Sequence, residues 1–251
     1  MQKDYFSTQS GSYKLYRPEY PDRLFTFLTE NLPSDPLIWD CATGNGQAAV
    51  AFGRYPGAIV ASDQSSAQLR NAPREKSVHY VQALAEAMPL ADNTVDLVTV
   101  AQALHWFEFD RFFAEVKRVL KPGGRIAAWT YSFLTASPQL GDELDAIVRW
   151  FYQDVVGQYW PSERRWVDDQ YRSIPFPFAE LDTPSFAIEV DWNLGELFGY
   201  IGSWSAVQRY KDAHSIDPVA SLAARMLPLW EQETCARPLS WDLALRLGRL
   251  D

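Results

Sequence analysis

Through the first half of the chain, apolar residues come in short runs separated by turn formers, and the runs alternate between two periods. Pro36-Leu37-Ile38-Trp39-Asp40-Cys41 reads as a short apolar strand running into the turn Thr43-Gly44-Asn45-Gly46. Gln47 to Phe52 is a helix-forming run stopped at Gly53, and Ala58 to Ser62 is a second strand ending in Asp63. Ser65 to Arg70 begins another helix, with Ser65 or Ser66 as its N-cap. Val78 to Gln82 and Val95 to Val100 are a third and a fourth strand. Between Phe109 and Leu120 the apolar positions are 109, 112, 113, 116, 119 and 120, one face of an amphipathic helix. Lys121-Pro122-Gly123-Gly124 ends that helix, because Pro bars continuation and Gly accepts a left-handed cap. Arg125 to Thr130 follows as a fifth strand. Alternating strands and helices predict an α/β fold, a doubly wound and mostly parallel sheet covered on both faces. Ligands of such sheets lie beyond the carboxyl ends of the strands, where the turn 43–46 and Asp63 both fall.

Beyond residue 133 the alternation breaks. Gln139 to Val156 reads as a helix, and Tyr159 to Phe178 is rich in Pro and aromatics. Phe186 to Trp192 alternates like a half-buried strand, Leu194 to Tyr210 and Pro218 to Trp230 read as helices, and Trp241 to Leu247 as a last strand returning to the sheet edge. Eight of the ten Trp lie after residue 128, so this part is expected to be an aromatic cap suited to an apolar or flat ligand.

Composition narrows the function classes. With 23 Lys and Arg against 32 Asp and Glu, the net charge of -9 argues against a nucleic-acid partner. Two distant cysteines, Cys41 and Cys235, and three dispersed His provide neither a disulfide framework nor metal-ligand spacing, so no metal is expected. Every apolar run stops short of the roughly 18 residues of a membrane span. The first residues lack a secretory h-region, so a soluble cytoplasmic protein without a membrane partner is expected.

The turn after the first strand carries the ligand argument. A dinucleotide site wants G-x-G-x-x-G, whereas here Ala42 and Ala49 stand where glycines are expected and Asp40 precedes the turn. An acid there counts against an NAD-linked oxidoreductase, an alternative on a related sheet, and suits a cationic ligand such as S-adenosylmethionine. Asp63 is placed to accept hydrogen bonds from a ribose diol.

Four motifs then match in order and spacing: Trp39 to Gly46, Ala61-Ser62-Asp63, Ala85-Glu86-Ala87-Met88-Pro89-Leu90, and Leu120-Lys121-Pro122-Gly123-Gly124. On these, the run from Leu37 to Arg125 resembles the class I S-adenosylmethionine-dependent methyltransferases. Ala101-Gln102-Ala103-Leu104-His105-Trp106-Phe107 and the leading Tyr13 to Pro21 are similar to the small-molecule group containing trans-aconitate methyltransferase-like proteins, and the likeness continues through Trp160-Pro161 and Ser203 to Ala206. The resemblance implies S-adenosylmethionine as cofactor, S-adenosylhomocysteine as product, and a seven-stranded Rossmann-like sheet with a C-terminal helical and aromatic cap. It places Gly44 and Gly46 at the methionine end of the cofactor and Asp63 at the ribose, with Asp40, Ala42 and Gln64 also expected among the cofactor-binding residues. Ala85 and Glu86 fall around the adenine, and Gln102, His105 and Trp106 along the rest of the pocket. Leu84 stands where many members carry an Asp for the adenine amine, so backbone groups are expected to serve there. The expected division is an N-terminal segment 1–35 over the cofactor site, a cofactor-binding core 36–133, and a cap with the terminal sheet strands, 134–251, in the same domain.

The expected reaction is in-line methyl transfer to a small-molecule acceptor, a carboxylic acid or an aromatic metabolite. The alternative is a non-catalytic S-adenosylmethionine-binding protein. His105 is the candidate base, its other reading being that it shapes the pocket with Trp106. Tyr13 and Arg17 either contact the cofactor's carboxylate or pin their segment to the core. Trp160, Arg164, Trp204 and Arg209 are the acceptor-side candidates, and a monomer is expected.

Overall fold

The computed structural model describes residues 16–136, 141–230 and 232–251. Its first half follows the alternation. Helix α1 (Asp22–Thr29) precedes β1 (Leu37–Cys41), α2 (Gln47–Phe52), β2 (Ala58–Asp63), α3 (Ser66–Arg70), β3 (Val78–Gln82), β4 (Val95–Ala101), α4 (Phe109–Val119) and β5 (Leu120–Ala136). Strands β1 to β5 run parallel in the order β3-β2-β1-β4-β5. β4 is buried on both faces up to its last residue, which is why Val95-Asp96-Leu97-Val98-Thr99-Val100 reads as a nearly unbroken apolar run. The segment 121–124 does more than stop α4: it belongs to β5, and Gly123 donates its amide to the Leu250 carbonyl.

The second half adds α5 (Gly141–Trp150), α6 (Arg164–Asp168), β6 (Ala179–Glu180), β7 (Phe186–Trp192), α7 (Leu194–Gly202), α8 (Ser205–His214), α9 (Val219–Trp230) and β8 (Arg237–Arg249). Three expectations change here. The last strand does not return to the edge: β8 lies inside the sheet, antiparallel to β5 on one side and to β6 and β7 on the other. The two-residue β6 makes eight strands among the described residues rather than seven. The helix expected over 194–210 breaks at Ser203-Trp204, and its first half is started by a capping box between Asn193 and Glu196.

Side chains that alternate along the strands build a core on each sheet face. Ile38, Ala127 and Trp129 point to the face covered by α1 and the cap helices, through Leu144, Leu197, Ile201 and Met226. Trp39, Ile126 and Ala128 point to the other, under Phe112, Phe113 and Val116 of α4. The cap therefore shares a continuous apolar core with the sheet. Among the described residues no helix is long and apolar enough to cross a membrane.

Candidate functional site

The carboxyl ends of β1, β2 and β4 meet at one rim, and the turn after β1 is held there from its neighbours. Ala42, Gly44 and Gly46 all take left-handed backbone, with φ of 53°, 59° and 86°. Asp63 at the end of β2 accepts from the Gly44 amide at 2.9 Å and the Ser65 amide at 2.8 Å. The Thr43 amide donates to the Ser62 carbonyl at 2.9 Å. A Cβ on Gly44 would meet nothing within 4 Å, so open space lies over that part of the turn. A Cβ on Gly46 would stand 2.5 Å from the Tyr80 hydroxyl.

Asp40 departs from its expected place. It is fully buried beneath the turn instead of lining the rim, paired in register with Ala61 and Thr99. Thr99 donates to one of its oxygens at 2.8 Å and Thr43 to the other at 2.5 Å. The physical reason is strand alternation, which turns Asp40 to the same side as the core residue Ile38. Burial pushes its carboxyl up from 3.8 to about 6, against the pull of the two threonines. The folded state thus holds a proton that the unfolded chain releases, and this contribution to stability is present below pH 4 and lost as pH rises to 6. Between wild type and Asp40→Asn, denaturant titrations at pH 4.5 and 7.5 should differ in pH dependence by about 2 kcal/mol, the wild type losing stability with rising pH.

On the expected adenine side, Leu84 is half exposed and bridges to Ala87, and the Ala83 amide is tied to the Asp63 carbonyl at 3.1 Å. Ala85 is partly buried against the second core. Glu86 accepts from the Glu108 amide at 3.2 Å, and the Gln64 carbonyl accepts from Gln82 at 3.0 Å.

Past the end of β4 the chain enters a 3-10 turn, Leu104–Trp106. Gln102 sits at φ 56° with its side chain locked to β5, donating to the Tyr131 carbonyl at 2.8 Å and accepting from Thr130 at 2.6 Å. His105 is nearly buried; its Nδ1 lies 2.8 Å from the Tyr171 hydroxyl, and its ring lies 4.8 Å from that of Trp106. Burial, with Arg164 nearby, lowers its pKa from 6.5 to about 3, so the ring is neutral at physiological pH.

Gln102, His105 and Trp106 open into a cavity under the cap, which Trp160, Arg164 and Trp204 also line. Arg164 lies over the Trp160 ring at 4.6 Å, and its Nε donates to Tyr152 at 2.7 Å and to Asp168 at 3.1 Å. Arg17 reaches the same cavity, donating to the Tyr131 hydroxyl at 3.2 Å, and also lines a second cavity beside Gly46 and Gln47. Its segment is tied down by Gln47, which donates to the Pro18 carbonyl at 2.8 Å. Arg209 lies outside the lining; it donates to the Tyr159 carbonyl, because α8 turns it toward that backbone. Tyr13 falls outside the described residues. Sequence reasoning missed Tyr131 and Tyr200 in the lining and Tyr171 behind His105. For Tyr131 a signal existed, since it continues β5 past the rim where β4 ends.

This rim can be compared with known proteins. Residues 39–128 match the family described as a methyltransferase domain. A Dictyostelium discoideum protein named as a methyltransferase is 30% identical over 91% of this chain and 87% of its own. A solved structure named as a type II methyltransferase, from Anaeromyxobacter dehalogenans, is 38% identical with a TM-score of 0.85, covering 93% of this chain and 98% of that one. A Saccharomyces cerevisiae protein named as an S-adenosylmethionine-dependent methyltransferase is 27% identical over 62% of this chain and 57% of its own. The chain belongs to the class I S-adenosylmethionine-dependent methyltransferases. Its cofactor is therefore S-adenosylmethionine.

The rim fits that cofactor on its own geometry. Open space lies over Gly44, and the Asp63 carboxylate stands beside it at the end of β2, holding the turn in shape.

Proposed function

We propose that the protein methylates a small anionic acceptor, a carboxylic acid or a flat aromatic acid, held in the cavity under the cap. Arg164 carries this reading. Its Nε is anchored by Tyr152 and Asp168 and its plane lies against Trp160, while its two terminal nitrogens have no bonded partner among the described residues and the side chain lines the cavity. A planar fork held at its base and free at its tip suits a carboxylate, and the aromatic walls of Trp160 and Trp204 suit a flat or apolar body. Arg17 adds a second positive charge to the same cavity.

On this reading the cofactor-facing rim consists of the backbone of Ala42, Gly44 and Gly46 with Asp63 and Gln64, and the segment Ala85-Glu86 flanks the adenine with Leu84 supplying backbone only. S-Adenosylmethionine, when bound, supplies a methyl group already activated on a sulfonium. The chain's part is to orient the acceptor, screen it from water under the cap and balance its charge.

The test is release of S-adenosylhomocysteine in a screen of small carboxylic acids and phenols. An aromatic or aliphatic acid should turn over. With that acceptor, Arg164→Met should raise KM at least tenfold and leave S-adenosylmethionine affinity unchanged, roughly the loss of one charge-assisted pair. Turnover confined to uncharged acceptors, or an unchanged KM in Arg164→Met, would remove the anionic reading.

A further inference from the structure

Each of the other connections among the parallel strands β1 to β5 carries an α-helix, but residues 83–94, between β3 and β4, have none. Within this segment Ala87 donates to the Leu84 carbonyl and Leu90 to the Met88 carbonyl, which leaves most of its backbone to find partners elsewhere. Helix α4 supplies them. At its start, the amide of the N-cap residue Glu108 donates to the Glu86 carboxylate at 3.2 Å. At its end, the carbonyls of Arg118 and Val119 accept from the amides of Asn93 at 2.9 Å and Thr94 at 2.8 Å.

The middle of the segment is held by two side chains of α4, Glu115 and Arg118. All five guanidinium hydrogens of Arg118 are engaged there. Nε and Nη2 donate to the two oxygens of Glu115 at 2.9 and 2.7 Å. Nη2 also donates to the Met88 carbonyl at 2.9 Å, and Nη1 to the Leu90 carbonyl at 2.8 Å and to Asp92 at 2.6 Å. The Glu115 oxygen that faces Nη2 accepts the Met88 amide as well, at 2.7 Å. Met88 is therefore fixed at both its amide and its carbonyl, and its side chain is buried in the second core. An ion pair on an open surface contributes little, but here both partners also bind main chain, in a geometry that needs a planar fork.

This anchor bears on what precedes it. The turn Leu84–Ala87, closed by its own bridge, lies between two fixed points. One is the Ala83 amide, bonded to the Asp63 carbonyl at the rim, and the other is Met88 on α4. The turn is thus held at the carboxyl end of β3, next to the end of β2.

We propose that Arg118 and Glu115 are positioning residues for the cofactor: by pinning Met88 they fix the turn Leu84–Ala87 where it flanks the adenine. The proposal rests on the reading of Ala85 and Glu86 as neighbours of the adenine. Both side chains act through the backbone of this one segment. The turn after β1 is held separately, from Asp63 and Ser62, so the homocysteine end of the ligand is independent of the clamp.

The experiment is calorimetric titration of wild type and Arg118→Lys with S-adenosylhomocysteine, joined to carbon-13 NMR of the bound ligand labelled in its adenine and homocysteine parts. Lysine keeps the charge and loses the fork. The dissociation constant should rise about tenfold, with the adenine C2 and C8 resonances displaced and the homocysteine Cγ resonance unmoved. A general loosening of the fold would move both ends of the ligand. An unchanged dissociation constant, or equal displacement at the two ends, overturns the proposal. Should Arg118→Lys not fold, Glu115→Gln decides, because one carbonyl oxygen then replaces the two that Glu115 offers. A rise of about threefold is expected there, and an unchanged constant overturns the proposal. The place of the adenine is checked in wild type, by a nuclear Overhauser effect between adenine H2 and the methyl groups of Leu84 or Ala85. Without that effect the adenine lies elsewhere and both readings fall. With it, unaffected binding in the variants removes the clamp alone.

Discussion

Asp63→Ala should weaken binding of both S-adenosylmethionine and S-adenosylhomocysteine by roughly 100-fold, measured by calorimetry. The carboxylate does two things at once. It holds the Gly44 and Ser65 amides at 2.9 Å and 2.8 Å, which sets the shape of the turn, and it stands at the end of β2 where a ribose diol is expected. Hydrogen bonds to charged groups contribute about 1.5–3 kcal/mol each, and about 1.4 kcal/mol is a factor of ten in affinity. Losing a ribose pair and loosening the turn together reach that loss. Asp63→Asn should lie between the two proteins, because its single carbonyl can keep one amide but not both. Equal affinity in Asp63→Ala and wild type would move the cofactor away from this rim.

Gly46→Ala should lower stability substantially. The position is left-handed at φ 86°, and the added methyl would meet the Tyr80 hydroxyl at 2.5 Å with two ring carbons at 3.2 Å. Backbone strain of about 1–2 kcal/mol adds to the overpacking, for a total of about 3 kcal/mol and a fall of about 8 °C in Tm. Tyr80 cannot swing away freely, since its hydroxyl donates to the Pro73 carbonyl at 2.9 Å. Gly46→Ala with Tyr80→Phe should recover part of the loss, leaving the backbone share. If the double variant melts no higher than Gly46→Ala, the hydroxyl is not what the methyl strikes.

The rim of the candidate site was legible because its residues sit close in sequence, at strand ends that the alternation of runs locates. Gly44, Gly46 and Asp63 fall on one rim for that reason, and Ser65 caps α3 as its position before the helix implies. Asp40 misled because it was weighed by its charge and not by its place in the strand, where every second side chain turns the same way. The cap side depended on pairings between distant residues. Tyr171 lies 66 positions from His105, and only the strained turn at 170–171 brings them together. Arg209 and Arg164 look alike as arginines among aromatics, and nothing local to either told which would reach the cavity. The place of β8 was equally hidden, since a strand's neighbours are chosen by the whole sheet and not by its own pattern.

That place has a kinetic consequence. β8 is the last element along the chain, yet it fills the slot between β5 and β7, and its pairs with β5 join residues as far apart as Arg125 and Arg249. Until it arrives, β5 presents an open apolar edge, the kind that recruits other strands. Contacts that bridge such long loops are slow to form, because chain entropy is lost before they repay it. Refolding should therefore be limited by insertion of this one strand. During synthesis on the ribosome, the half-made sheet would remain exposed to aggregation until the residues of β8 had emerged.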